Sequence, residues 1–330
     1  MSASPLRRFA ALATLGVLLS ACADAPQAGA PATTTPETDA FPVTISNCGV
    51  DVTLEQPPSA AVTLNQGATE VALALDLTPS LAGTAYLDDA VPERWQAAYE
   101  QVPVLADEYP SKEAFLAAEP DFAYASYRSA FTDDAVGDRA ELAQEGISTY
   151  LSPFGCPEHR GEPATFERVF DEVRDVAGLF GQPDRGEAYV AEQEDLLAGL
   201  RDRAAGDGLD VFWFDSGDSA PLAGAGTGGP QLILDTVGAT NVFADVEGGW
   251  AEVSWERVVE ADPDVIVIAD ASWSPAQDKI DHLENDPVLR ELRAVTGQRY
   301  VVVPFSATTP GARLVDGAQV VSDGLAALDR

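Results

Sequence analysis

The chain has 330 residues, with 54 Asp or Glu against 19 Lys or Arg and a formal charge of −35. So acidic a surface repels nucleic acid and anionic lipid headgroups and excludes both as surface partners. The length suffices for two domains of ordinary size, and Lys112 and Lys279 are the only lysines.

Arg7, Arg8 and the apolar run 9–19 have the order of a secretory leader, and eleven residues are too few to cross a bilayer. Leu19-Ser20-Ala21-Cys22 follows. It resembles the lipobox of bacterial lipoproteins, which implies cleavage before Cys22 and lipidation of its sulfur. The mature chain is then expected to be exported and lipid-anchored to the outer face of the cell membrane. Residues 1–21 are read as signal peptide and 22–40, which lack large apolar side chains, as a flexible tether.

Alternation of strands and helices follows. Runs 43–45 and 50–54 flank Asn47-Cys48-Gly49 as a hairpin. Strands are expected at 60–64, 81–85, 122–125 and 149–151, with helices at 66–75, 92–100, 112–118 and 138–145. Val169, Phe170, Val173, Val176, Ala177 and Phe180 recur at helical spacing. After the Gly181-Gln182-Pro183 break a second amphipathic helix runs to about 205. Strands are then expected at 211–214, 265–268 and 300–303, with helices after Pro230, near 276–284 and at 314–328. The fold class is α/β, with two α/β lobes joined by a helix rather than a floppy linker. The N-terminal lobe spans 41–165, a helical connection 166–207 and the C-terminal lobe 208–330.

One pattern occurs twice, at an offset of 143 residues. Ser111-Lys-Glu-Ala-Phe-Leu-Ala-Ala-Glu-Pro-Asp-Phe-Ala-Tyr-Ala-Ser126 aligns without a gap to Ser254-Trp-Glu-Arg-Val-Val-Glu-Ala-Asp-Pro-Asp-Val-Ile-Val-Ile-Ala269. Each copy reads as an N-capping Ser, a first-turn Glu, a short helix, a Pro-Asp stop and a strand. One copy in each half implies lobes related by pseudo-symmetry.

The chain resembles the substrate-binding lipoproteins of ABC importers, in the class that handles cobalamin and ferric siderophores. The resemblance rests on Val62-Thr63-Leu64-Asn65-Gln66-Gly67-Ala68-Thr69-Glu70, on the doubled Glu…Pro-Asp pattern and on Val302-Val303-Pro304-Phe305-Ser306. It implies two α/β lobes joined by a single long helix, here 184–205, with a ligand cleft between them and only slight closure because a helix resists bending. It also implies that Glu113 and Glu256, one on each lobe, dock into arginines of an ABC permease dimer served by its ATPase.

Open α/β sheets bind ligands at the carboxyl ends of their strands. The candidates there are Asn65, Gln66, Tyr86, Ser126, Tyr127 and Arg128, with Tyr109 on a loop, and Asp215, Ser216, Trp250, Trp273, Phe305 and Arg313. Aromatic side chains suit a large flat chelate, and arginines suit carboxylate or phosphate. Arg128 and Arg313 stand out because cations are scarce. Gly224-Ala-Gly-Thr-Gly-Gly229 matches G-x-G-x-x-G, but the preceding strand ends too early for a dinucleotide fold. A mobile cleft-rim loop, its amides facing an anion, is expected instead.

Cys48 and Cys156 are expected to pair in the oxidising exterior, closing a long loop, with two separately buried thiols as the alternative. The entropic model assigns such a bridge roughly 4–5 kcal/mol. His159 and His282 are the only histidines and neither joins a nucleophile–base motif, so no enzyme is expected and no catalytic residue is named. Two histidines also argue against zinc or manganese binding, and neither a protein-held metal nor a cofactor is expected. The expected ligand is a metal chelate, a ferric siderophore or cobalamin. The alternatives are haem, with Tyr86, Tyr109 or Tyr127 as axial ligand, a phosphorylated deazaflavin coenzyme precursor, and ligand sensing without transport.

Overall fold

The computed structural model describes residues 41–159 and 161–328. The leader, Cys22 and the tether lie outside the described residues.

The first lobe opens with β1 (Val43–Asn47) and β2 (Val50–Leu54), paired antiparallel. Cys48 and Gly49 at the turn both have positive φ, as a two-residue type I′ hairpin requires. The chain continues through β3 (Ala61–Leu64), α1 (Gln66–Ala74), β4 (Leu81–Ala85), α2 (Glu93–Tyr99), β5 (Val104–Ala106), α3 (Lys112–Leu116), β6 (Phe122–Ala125), α4 (Arg139–Gln144) and β7 (Ser148–Leu151). These five strands form a parallel sheet in the order β5-β4-β3-β6-β7. Its topological switch point lies between β3 and β6. The hairpin docks on β7, where the Asn47 amide donates to Leu151 O and accepts from Leu151 N, both at 2.8 Å. A disulfide between Cys48 and Cys156, with Cα atoms 5.1 Å apart, fastens the same junction.

Helices α5 (Phe166–Leu179) and α6 (Pro183–Arg203) follow. Gly181 at φ 66 ends the first, and Pro183 starts the second where a missing N–H costs nothing. Near its start α6 is tied to the first lobe, Arg185 pairing with Asp76. At its end Arg203 pairs with Asp323 in the second. The 21-residue helix therefore reaches from one lobe to the other.

The second lobe contains β8 (Asp210–Ser216), β9 (Leu222–Gly224), α7 (Gly229–Val237), β10 (Thr240–Asn241), β11 (Trp250–Glu252), α8 (Trp255–Ala261), β12 (Val265–Asp270), α9 (Ala276–Asn285), α10 (Arg293–Thr296), β13 (Tyr300–Pro304) and α11 (Leu314–Leu328). Its sheet runs β11-β9-β8-β12-β13, with β10 beside β8. Strands β8, β12 and β13 are parallel, whereas β9 and β11 are antiparallel additions. The sequence patterns did not indicate β5, β9, β10 or β11, each of two or three residues.

Alternation along β8 divides the core. Phe212 and Phe214 face an outer cluster with Phe243 and Val258, while Val211 and Trp213 face inward. The inward cluster continues through α7, α11, α6, α5 and α1 to Phe122 and Tyr124 of the first sheet. The lobes share this apolar core in addition to the helix that joins them.

The doubled pattern folds the same way twice. Ser111 caps α3 by accepting from Ala114 N, and Ser254 caps α8 by accepting from Arg257 N. The aspartate of each Pro-Asp fastens the neighbouring strand. Asp121 N donates to Ala60 O at 3.1 Å, and its carboxylate accepts from Ser59 N and Ala60 N at 2.8 and 3.0 Å. Asp264 N donates to Asp210 O at 2.8 Å and its carboxylate accepts from Asp210 N at 2.9 Å.

Candidate ligand-binding cleft

The carboxyl ends of the two sheets face each other across a cleft with two compartments. The larger, about 510 Å³, lies between the ends of β3, β4, β5 and β6 on one side and of β12 and β13 on the other. Six of the candidate residues line it: Asn65, Tyr86, Tyr109, Tyr127, Trp273 and Phe305. Tyr86 and Tyr109 meet edge to face with ring centroids 4.6 Å apart, and Trp273 meets Phe305 the same way at 5.4 Å. Trp273 is 54% exposed, which leaves most of its ring open to an occupant. The Tyr109 hydroxyl accepts from the Asn65 amide at 2.9 Å and hydrogen-bonds Ser129 Oγ at 2.8 Å. Burial holds the Tyr109 phenol above its ordinary value, and burial with the Asp89 charge raises the Asp88 carboxyl.

Backbone strain marks the same wall. Asn65 sits at φ 76, ψ 159, a region that glycine alone enters freely, and Tyr86 at φ 63. Strain of this kind costs about 1–3 kcal/mol and persists where neighbours over-determine it. Here Asn65 N donates to Ala85 O while its side chain holds Tyr109.

The smaller compartment, about 350 Å³, lies beyond Tyr127, which lines both, and its walls include Arg128, Phe154, Arg168, Gly228, Gly229 and Trp250. Thr309, whose hydroxyl donates to Ser306 O at 3.3 Å, lines the smaller compartment beside Tyr127. Arg168 is paired with Glu162, whereas Arg128 has no ion pair among the described residues.

The glycine-rich segment beside it differs from the mobile rim expected. Ala225, Gly226 and Thr227 donate their amides to the carbonyls of Gly249, Val246 and Gly248. The glycines permit close backbone packing. A Cβ at Gly229 would lie 1.9 Å from Thr308 O, and one at Gly228 2.6 Å from Gly249 Cα.

Five candidates line neither compartment. The Gln66 amide donates to Glu70 at 2.6 Å and accepts from the amides of Asp88 and Asp89, so it shapes the loop after β4 without reaching the cleft. Asp215 is buried at the end of β8. Arg313, expected to meet an anionic ligand, is 7% exposed and bonded to Glu70 at 3.1 Å, to Asp89 at 3.3 Å and to Ser306 Oγ. It joins the lobes, because both carboxylates belong to the first and Arg313 to the second. Burial raises the Glu70 carboxyl to about 7 against the pull of Arg313. Of the hydroxyls named at the strand ends, Ser126 Oγ is buried and accepts from Ala68 N, and Ser216 Oγ donates to Asp215.

Glu113 and Glu256 occupy matching first turns of α3 and α8, and both are exposed. The Glu256 carboxyl is held below the usual range by its own backbone amide and by Ser254. Sequence reasoning missed Glu70, Asp89, Ser306 and Lys279. Only the scarcity of lysine hinted at the last.

Comparison with known proteins agrees with this geometry. The family model described as periplasmic binding protein matches residues 62–307. The uncharacterized ABC transporter substrate-binding lipoprotein YvrC of Bacillus subtilis is 24% identical over 324 residues, 96% of each chain. The vitamin B12-binding protein of Salmonella typhi is 27% identical over 209 residues, 63% of this chain and 71% of the other. The solved structure of an ABC-type Fe3+-hydroxamate transport system from Saccharomonospora viridis superposes with a TM-score of 0.72 at 27% identity, covering 86% of this chain and 99% of that one. Two lobes, facing strand ends and a match over most of the sequence lead to one statement: the chain belongs to the periplasmic binding protein family, whose members bind substrates for transport and are not enzymes.

Proposed function

We propose that this chain is the extracytoplasmic capture subunit of an ABC importer, held at the membrane by lipid on Cys22, and that its cargo is a metal chelate of the ferric siderophore or cobalamin type. The observation that carries the reading is the larger compartment. Tyr86, Tyr109, Tyr127, Trp273 and Phe305 converge there on a space of about 510 Å³ at the strand ends of both lobes. Aromatic walls offer broad apolar contact to a bulky chelate, and the phenol hydroxyls orient its oxygen atoms. Relatives named for vitamin B12 and for a ferric hydroxamate system support this class of cargo.

In this reading Glu113 and Glu256 present carboxylates on the two lobes to arginines of the permease, an arrangement that suits bidentate pairing. The three phenols also favour haem as a second reading, since a tyrosine oxygen serves as an axial ligand.

Purification of the full chain from its own host, followed by absorbance and mass spectrometry, tests the proposal. A ferric chelate or corrinoid is the expected occupant. A haem spectrum selects the second reading, and a deazaflavin phosphate replaces both. A protein that carries none of these and binds neither a ferric trihydroxamate nor cyanocobalamin overturns it. Loss of chelate uptake on gene deletion separates transport from sensing.

A further inference from the structure

Behind the second lobe's share of the cleft lies a charged group that neither compartment contains. Lys279, on the first turns of α9, is 4% exposed. Its ammonium donates to the carbonyls of Ala269 at the end of β12 and of Ser274, the latter at 2.7 Å. Asp215 at the end of β8 is 2% exposed, and its charge and that of Lys279 act on each other. Asp215 Oδ2 accepts from Ser216 Oγ at 3.2 Å, whereas Oδ1 is enclosed with no hydrogen-bond partner. The indole N–H of Trp250 faces this carboxylate but falls short of hydrogen-bond geometry, and it too is enclosed.

Burying charges of opposite sign adds little stability over well-packed apolar side chains, because each must leave water. Burial accordingly pushes the Lys279 amine down and the Asp215 carboxyl up, each opposed by the charge of the other. Stability is therefore a weak reason for a cation here, and its geometry supplies a better one. The two carbonyls that it holds bracket a tight loop in which Ala271 and Ser274 exchange backbone hydrogen bonds at 3.0 and 3.3 Å. The tip of that loop is Ser272 and Trp273, both on the wall of the larger compartment. Ser272 Oγ also donates to Asp88 O of the first lobe at 3.1 Å. On the other side, Asp215 stands against Trp250, a wall of the smaller compartment.

We propose that Lys279 is the positioning residue of the second lobe's cleft wall, its ammonium fixing the loop that presents Trp273. The inference rests on the cleft being the ligand site. A neutral side chain of the same length takes the ammonium's hydrogen bond away from both carbonyls, leaves Ser274 O only the Ala271 amide, and removes the positive charge that acts on Asp215. The loop then samples other positions and Trp273 loses its setting.

The test uses the full mature chain and the variants Lys279→Met, Lys279→Arg and Leu283→Ala. Leu283 is fully buried on the same helix, in the outer core and away from the cleft, so its variant reports lost packing alone. Hydrogen exchange at Ala271 and Ser274 needs no ligand. It is expected to accelerate roughly tenfold in Lys279→Met beyond what its global stability accounts for, and not in Leu283→Ala. Affinity for a ferric trihydroxamate or cyanocobalamin is expected to fall by a similar factor in Lys279→Met, to recover in part in Lys279→Arg and to stay near wild type in Leu283→Ala. Lys279→Gln keeps one donor without the charge. It gives an intermediate loss and stands in if Lys279→Met does not fold. Unchanged exchange in the loop overturns the proposal, as does an affinity loss no larger than that of Leu283→Ala. If the wild type binds neither probe, the cargo reading fails while the exchange data still decide the role of Lys279.

Discussion

Strands β6 and β12 belong to the two copies of one sequence pattern, yet the ionisable groups buried beside them have opposite character. Against β6 lies Glu172, whose carboxyl accepts from Tyr124 Oη at 2.6 Å and from Ser152 Oγ at 3.0 Å with no ion pair among the described residues. Burial lifts it to about 7, against the pull of the two hydroxyl donors. Against β12 lies Lys279, held by two carbonyls and the charge of Asp215. Cap, helix, Pro-Asp stop and strand are copied between the lobes, but the polar fittings are not. Pseudo-symmetry in this molecule belongs to the backbone, and each lobe furnishes its side of the cleft independently.

The largest expected effect concerns the exposed glutamate that both copies keep. Charge reversal at Glu113 or Glu256 should abolish uptake of the cargo while leaving its affinity within about twofold, because neither residue lines the cleft. Transport assays beside binding titrations check this. Normal uptake in the double reversal removes the docking assignment and the functional side of the symmetry with it.

Next comes the contact that belongs to neither copy. Arg313→Met leaves Glu70 buried without its cation and unfastens the lobes, for an expected loss of about 3 kcal/mol in urea denaturation. Adding Glu70→Gln should restore part of it. A single variant as stable as wild type would show that the lobes are held by their shared core alone.

Titration sharpens the contrast between the two buried groups. Glu172 has a folded-state value raised from 4.5 to about 7 by burial, so its contribution to stability is complete below about 4.5 and is lost as pH rises through 7. Glu70 shifts in the same direction. Stability should therefore decline between pH 4.5 and 7.5. Glu172→Gln should flatten that decline by up to about 3 kcal/mol, at roughly 1.4 kcal/mol per pH unit. A wild-type profile that rises over this window contradicts the assignment.

The smallest effect compares the repeated aspartates. Asp121→Ala removes the acceptor for Ser59 N, Ser59 Oγ and Ala60 N and should cost about 2 kcal/mol. Asp264→Ala should cost about 1 kcal/mol, since it frees one strand amide and an exposed Arg293. Equal losses would make the two junctions more alike than their hydrogen bonds are.

The sequence by itself determined what depends on neighbours along the chain. Ser111 and Ser254 cap because each precedes a helix by one residue, and the longer strands and helices carry their own periodicity. The pairing of the two cysteines followed from the oxidising exterior expected of an exported chain, and six residues of the larger compartment from the rule that open α/β sheets bind at their strand ends. Tertiary structure alone decided what depends on residues far apart in sequence. Strands β5, β9, β10 and β11 are too short for a pattern and exist because a neighbouring strand offers hydrogen bonds. Arg128 and Arg313 look alike in sequence, yet the first stands on a compartment wall while the second is buried between carboxylates 224 and 243 residues away. Lys279 reads as one helical lysine among polar neighbours until α9 packs against β12 and leaves its ammonium no water to turn to. Local order follows from backbone geometry and capping, which act over a few residues. The partner of a charge is set by which surfaces the shared apolar core brings together.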